Sequence, residues 1–370
     1  MNMGIRTLYS TGKSEVQICS DLLSGAAGHE PGAVVFFAST CFDPETISAE
    51  MKKTFPNAAV FGCTTAGEIV SGKMLSDSVV AMLLDDDIVE DICVRIIPEI
   101  KTSDNTAGIF SQIEDHFGTP MSEIDISKYV GIVLIDGMSG AEEKLMDSIG
   151  NLTNFTFIGG AAGDDLKFSE TFVFADGTAA SNAAVVAVMK LKKGFDVVKT
   201  QSFSTTGRKL TATEVDEASR SVVAFNNEPA VKAYAASLGC SDEEAGDRFM
   251  SNPVGLMVGE EPYIRSPQRF DGDHMVFYCN IKKGMELDLM LSTDIVSDTR
   301  TAVQNKLTEL GGVSGIINFH CILRTLELRQ KEQCDEYGAI FKDIPTIGFS
   351  TYGEEYIGHV NQTSTMLVFK

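Results

Sequence analysis

Three acids close glycine-bracketed turns, and this setting is the first place in the chain where chemistry could lie. Glu68 ends Gly62-Cys63-Thr64-Thr65-Ala66-Gly67-Glu68, Asp164 ends Gly159-Gly160-Ala161-Ala162-Gly163-Asp164, and Glu354 ends Gly348-Phe349-Ser350-Thr351-Tyr352-Gly353-Glu354. Glycines on both sides of a turn let backbone N–H groups come close to a ligand, which suits a carboxylate or a phosphate. The turn is not a P-loop, because an acid rather than Lys and Ser/Thr follows the second glycine. It is not a dinucleotide fingerprint either, because no helix clearly follows. Two readings stay open. The turns are tight bends whose acids bond neighbouring N–H groups, or Gly62, Thr64, Thr65, Glu68, Gly159, Gly160, Asp164, Gly353 and Glu354 line a shared polar crevice.

Arg265 and Arg324 are the candidate anchors for an anion. Each falls at or just beyond the end of an expected strand, where α/β folds place ligand contacts. A guanidinium fork matches a carboxylate, although an internal ion pair with the excess acid would use the same residues. Of the five histidines, His29 and His116 fall in a loop and near a helix end, and His274 at a strand start. His320 adjoins Cys321 at a strand end, and His359 shares a strand face with Asn361 by period-two alternation. A neutral imidazole at either position suits a metal or haem ligand, or a hydrogen-bonded residue of the crevice. No Gly-x-Ser-x-Gly elbow and no His-Glu-x-x-His occurs. A Cys63 or Cys321 nucleophile with His320 or His359 is weighed against thiols that only line a pocket. The sequence reads as a non-enzyme.

The totals narrow the classes further. The chain has 370 residues, 44 % of them hydrophobic and 22 % charged, enough for a large core and two domains. A net charge of −22 repels phosphate backbones and anionic lipid, and no basic patch offsets it. No apolar run reaches the ~18 residues of a membrane helix, and no secretion signal opens the chain. The eight cysteines stand singly, without a Cys-x-x-Cys pair, which fits buried thiols in a reducing cytoplasm.

Positioning these residues requires alternating strands and helices. Helical spacing predicts helices over 14–24, 43–55, 104–117, 139–149, 228–238, 241–250 and 294–310, with a further helical stretch over 214–224. Ser139 and Glu142, and Ser241 and Glu244, match the capping box. Apolar runs at 33–38, 58–61, 79–84, 92–97, 130–135, 155–158 and 315–319 predict strands. Residues 172–191 read as a hairpin turned at Asp176-Gly177. The expected fold class is α/β to α+β, with two mixed-sheet lobes built from a repeated strand, helix, strand, glycine turn and strand. The expected boundaries are 1–225, a helical bridge 226–252, and 253–370.

With these motifs the chain resembles the FIST family, in which a FIST-N half precedes a FIST-C half. The likeness is carried by residues 61–68 and 158–164 in the first half. In the second it is carried by Pro253-Val254-Gly255, Tyr263-Ile264-Arg265, Cys321-Ile322-Leu323-Arg324, Gly353-Glu354 and His359-Val360-Asn361-Gln362-Thr363. The resemblance implies a cytoplasmic sensory module that binds a small ligand, amino acids being proposed. Such modules act with a histidine kinase, a cyclic-dinucleotide enzyme or a chemoreceptor. One branch is thought to bind haem b and sense nitric oxide, which would make His359 or His320 an axial ligand. Ile322-Leu323 departs from the small residues more usual before this arginine. The expectation is a metabolite held between the lobes by Arg265 and Arg324, with a turn acid on its ammonium group. With no output segment after Lys370, the signal is expected to pass to a separate partner.

Overall fold

The computed structural model describes residues 4–370. The chain is α+β and divides into two compact units, one of residues 4–200, 299–359 and 364–370, the other of residues 201–298 and 360–363.

The first unit contains three six-stranded sheets. In each, a parallel pair has an antiparallel strand on either side. Ala33–Ser39 and Ala59–Thr65 form the first pair, Tyr129–Ile135 and Phe157–Ala161 the second, Gly315–Cys321 and Thr346–Thr351 the third. Their outer neighbours are Val79–Leu84, Ala183–Leu191 and Thr363–Phe369. Parallel strands covered on both faces must be apolar on both faces, and nearly every residue of these pairs is buried. One face of each sheet looks into a common core, where Phe37 lies 4.5 Å from Phe349 and 6.5 Å from Phe319 between ring centroids. Burying a phenylalanine contributes about 2–3 kcal/mol, so this aromatic cluster ties the first and third sheets together.

The glycine turns are where the chain changes sheets. After Ala59–Thr65 the first turn delivers Glu68–Val70 to the third sheet, beside Thr346–Thr351. After Phe157–Ala161 the chain runs on to Val173–Ala175, which joins the first sheet beside Ala59–Thr65. After Thr346–Thr351 the third turn delivers Glu354–Tyr356 to the second sheet, beside Phe157–Ala161. Each sheet thus receives a strand from another, in a closed cycle.

Glycine is required just before these crossovers. A Cβ on Gly62 would lie 1.8 Å from the carbonyl oxygen of Phe36, on Gly159 1.7 Å from that of Val133, and on Gly348 2.2 Å from that of Asn318. In every case the obstructing carbonyl belongs to the residue opposite in the parallel partner.

The helices predicted at 14–24, 43–55 and 104–117 form as Glu15–Ala26, Pro44–Thr54 and Thr106–Phe117. Asp43 caps the second of these by accepting from Thr46 N at 2.8 Å, with proline at the first turn. Two local expectations are corrected. The Ser139 capping box does not form: the helix starts at Glu142, and Ser139 Oγ instead accepts from Ala141 N at 3.2 Å. The Ser241 box does form, with Glu244. Residues 172–191 are not one hairpin. Val173–Ala175 turns at Asp176 onto Thr178–Ala180, while Ala183–Leu191 lies in the second sheet.

The second unit is built on an eight-stranded antiparallel sheet. Here the helix expected over 214–224 is replaced by the ends of two strands, Phe203–Asp216 and Ser221–Phe225, joined by a turn in which Arg220 adopts φ 51°. The stretch 226–252 holds the helix Ala230–Leu238, closed by Gly239 at φ 76°. Ala230, Val231, Tyr234 and Ala235 of this helix belong to the unit's core.

Candidate functional site

The three glycine turns meet inside the first unit. Ala66 N donates to Ser350 O at 3.2 Å, and Ser350 N to Gly67 O at 2.8 Å. Gly163 N donates to Thr64 O at 3.0 Å, and Asp165 N to Thr65 O at 3.3 Å. Ala161 N donates to Gly353 O at 2.8 Å, and Thr351 Oγ1 to Ala161 O at 2.6 Å. Each turn is therefore bonded to both others. These N–H groups are spent on carbonyl oxygens of the neighbouring turns, so the chemistry of the junction lies in side chains.

Of the three acids, Asp164 is held by its neighbours. It accepts from the backbone N–H groups of Phe168, Ser169 and Glu170 at 2.9, 2.7 and 3.2 Å, and from the Tyr352 hydroxyl. Burial alone would raise its pKa. The Tyr352 bond and the backbone donors outweigh this and hold the carboxyl below the usual range. The loop it clamps carries Asp165, Leu166 and Phe168 at φ 53°, 64° and 50°, a left-handed run that needs such a clamp. Phe168 stacks on Tyr352 with ring centroids 5.2 Å apart.

Glu68 differs, being buried with two hydroxyls and the Ser78 backbone as its partners. Thr65 Oγ1 donates to one carboxylate oxygen, and Ser78 Oγ to the other at 2.6 Å. Burial outweighs these bonds and raises its pKa to about 7. A carboxyl whose pKa is raised on folding stabilises the fold most below its ordinary value of 4.5, and that contribution falls as pH rises to about 7. Glu68→Gln should remove this slope. Wild type is expected to lose up to about 3 kcal/mol relative to the variant between pH 4.5 and pH 8, read from urea melts at each pH. Parallel stability curves for the two proteins would contradict it.

Glu354 is fully buried opposite Gly160 in the second sheet. Its neighbour Glu355 is buried too, and Glu355 Oε1 meets His359 Nδ1 at 2.8 Å. His359 lies so close over Gly353 that a Cβ there would be 2.2 Å from the ring. Burial lowers the imidazole's pKa, but the Glu355 carboxyl beside it outweighs this and raises it to about 9, while burial raises that of Glu355 itself to about 7.

The third sheet carries the other polar concentration. In the first two sheets the face turned away from the common core is apolar apart from Thr64, with Phe36 and Ala38 opposite Gly62 and Thr64, and Val133 and Ile135 opposite Gly159 and Ala161. The matching positions of the third sheet hold Asn318 and His320, opposite Gly348 and Ser350. Helix Ile322–Gln330 contributes Arg324 and Thr325 to the same region, and Cys334–Gly338 contributes Tyr337. Arg324 is 1 % exposed, and its Nη2 donates to Thr299 Oγ1 at 2.8 Å. Thr325 Oγ1 and Ser350 Oγ lie 2.8 Å apart. Tyr337, fully buried, has its hydroxyl 2.9 Å from His320 Nδ1 and 3.1 Å from Asn318 Nδ2.

The remaining sequence candidates fall as follows. Gly62, Gly159 and Gly160 are strand residues at the close approaches, and Thr64 Oγ1 accepts from Phe172 N at 3.0 Å. Cys321 is buried at the N-cap of the Arg324 helix. Burial pushes the Cys63 thiol well up, away from the thiolate a nucleophile needs. In the second unit, Arg265 is half-buried with Nη1 3.3 Å from Ile264 O, and Asn361 Nδ2 donates to Val360 O at 3.2 Å. Tyr337, Asn318, Thr299, Ser78, Tyr352 and Glu355 were not singled out from the sequence. Alternation with Ile317 and Phe319 was the one signal that placed Asn318 on a face with His320.

Both histidines weighed as haem ligands are buried. An axial ligand gives iron an imidazole lone pair. His359 is bonded through Nδ1 to Glu355 Oε1 and lies against Gly353. His320 is fully buried in the polar lattice, its ring 4.5 Å from that of Tyr337. Among the described residues, no group of three His, Cys, Asp or Glu side chains is placed to hold a metal ion, and no helix is long and apolar enough to cross a membrane.

The FIST N domain matches residues 32–228 and the FIST C domain residues 230–356. The chain belongs to the FIST family, whose domains are sensory domains of signal-transduction proteins. No curated protein matches it.

Proposed function

We propose that this protein senses a small carboxylate-bearing metabolite, with amino acids among the candidates. The carboxylate is held by Arg324. The observation that carries this is the guanidinium itself, 1 % exposed on a sheet face that the two sister sheets fill with apolar side chains. Burying a charge costs several kcal/mol unless it is well partnered, and departures of this kind from an apolar core gather at functional sites. Arginine also offers the planar fork that a carboxylate fits. None of the turn acids is assigned to an ammonium group beside Arg324: the oxygens of Asp164 are taken by five donors, and Glu68 stands opposite Phe349, on the common-core face of the third sheet. Glu354 remains a candidate for a further contact within the first unit. Occupancy is passed to a separate partner, for which a histidine kinase, a cyclic-dinucleotide enzyme or a chemoreceptor is proposed.

Thermal-shift screening of wild type against the L-amino acids and simple mono- and dicarboxylates tests the proposal. At a concentration 100 times the Kd, a ligand adds about 2.7 kcal/mol, which raises Tm by several degrees. A flat response across the panel would remove the carboxylate reading.

A further inference from the structure

The hydrogen bonds around Tyr337 can be followed proton by proton. A phenol oxygen has one hydrogen to give and two lone pairs with which to accept. Asn318 Nδ2 donates to it over 3.1 Å, and the Arg324 guanidinium also bonds to it. Neither group can accept through those nitrogens, so both lone pairs are filled. The Ser364 hydroxyl gives its hydrogen to Asn318 Oδ1 at 2.7 Å. That bond fixes the amide's orientation and leaves Ser364 nothing to donate to the phenol.

The phenol hydrogen then has two receivers in reach, His320 Nδ1 at 2.9 Å and Ser364 Oγ at 3.2 Å. Nδ1 can pair with the filled phenol oxygen only as an acceptor, and it is the nearer of the two. The phenol therefore donates to Nδ1, and the imidazole's own hydrogen sits on Nε2. Burial, followed by the nearby Arg324 charge, keeps the ring neutral. Nε2 is buried and has no hydrogen-bond partner. Buried donors of this kind are rare in native structures.

We infer that the Nε2–H of His320 is a second anchor for the carboxylate, donating to one of its oxygens beside the Arg324 guanidinium. The inference rests on the function proposed above and extends it to specificity. Arg324, Asn318 Nδ2 and His320 Nε2 are all donors, so the lattice accepts an acid and refuses an ammonium group at this position. Because the ring is fully buried and its neighbours Arg324 and Tyr337 come from the helices Ile322–Gln330 and Cys334–Gly338, entry of an acid is expected to move these helices. Ligand entry is thereby coupled to movement of the covering helices.

Histidine-selective ¹⁵N NMR of the full chain tests this, with acetate, succinate, L-alanine and L-glutamate as probes and methylammonium as control. The expected result is an Nε2–H signal for His320 that does not titrate between pH 5 and 8. It should shift on saturation with at least one of the acids and stay in place with methylammonium. His320→Phe should weaken binding of that acid by about tenfold or more, the loss expected for one hydrogen bond to a charged group. An Nδ1–H tautomer would overturn the inference. So would an acid that stabilises wild type yet leaves the Nε2 signal unmoved; in that case the Arg324 reading stands and only the second anchor falls. If none of the acids binds wild type, both fall together.

Discussion

Gly159→Val is expected to yield no folded protein, and Gly62→Val to behave the same way. A Cβ at these positions would lie 1.7 and 1.8 Å from a main-chain carbonyl oxygen of the parallel partner. The oxygen cannot retreat, since both strands of each pair are buried inside a sheet. Separating the strands breaks the ladder on which the crossover depends. The cost should exceed about 5 kcal/mol, comparable with the whole stability of many domains. Gly108→Ala and Gly150→Ala are the controls. Both glycines lie in helices with nothing within 4 Å of a built Cβ, so alanine should add about 0.5–1 kcal/mol each. Soluble yield and circular-dichroism melts decide the matter. A Gly159→Val protein that melts cooperatively near the wild-type temperature would contradict the crossover account.

Arg324→Ala should lower stability by about 2–3 kcal/mol, the usual cost of leaving buried polar groups without a donor. The loss has two sources: Thr299 and Tyr337 lose a donor, and a cavity opens under the helix. Arg324→Lys separates stability from recognition. It keeps the charge and much of the volume but replaces the fork by a single ammonium. The lysine protein should fold, with a modest fall in Tm, while any acid that stabilises wild type stabilises it much less. If Arg324→Ala melts within a degree of wild type and keeps the response to acids, the guanidinium is neither structural nor a ligand anchor.

Much of the fold was legible because its signals are local. Apolar runs such as 33–38 and 130–135 marked the parallel strands, and Asp43-Pro44 marked a helix start. What sequence did not show was where each strand goes after its turn. Consecutive strands usually pair, whereas here Glu68–Val70, Val173–Ala175 and Glu354–Tyr356 each leave for another sheet. The failure at 214–224 has a different cause. Strand Phe203–Asp216 is exposed along much of its length, so it lacks the alternation that identifies a strand, and its polar residues imitate a surface helix.

The site divides in the same way. Arg324 was visible from its place after a strand, and the three turn acids from their glycines. The turns proved to be bonded to one another, which no single copy could reveal. Tyr337, Thr299 and Ser364 reach the Arg324 lattice from well-separated parts of the chain, so no motif spans them. Glu355 was passed over for Glu354, because both carboxyls are buried in this short strand and no alternation tells them apart.

The most direct test of the account is diffraction from crystals soaked in the acid that most stabilises the wild-type protein. The account predicts density for a carboxylate within hydrogen-bonding distance of the Arg324 guanidinium, beneath helices Ile322–Gln330 and Cys334–Gly338. A bound acid seated elsewhere, with Arg324 still on Thr299 and Tyr337 as in the free protein, would contradict it.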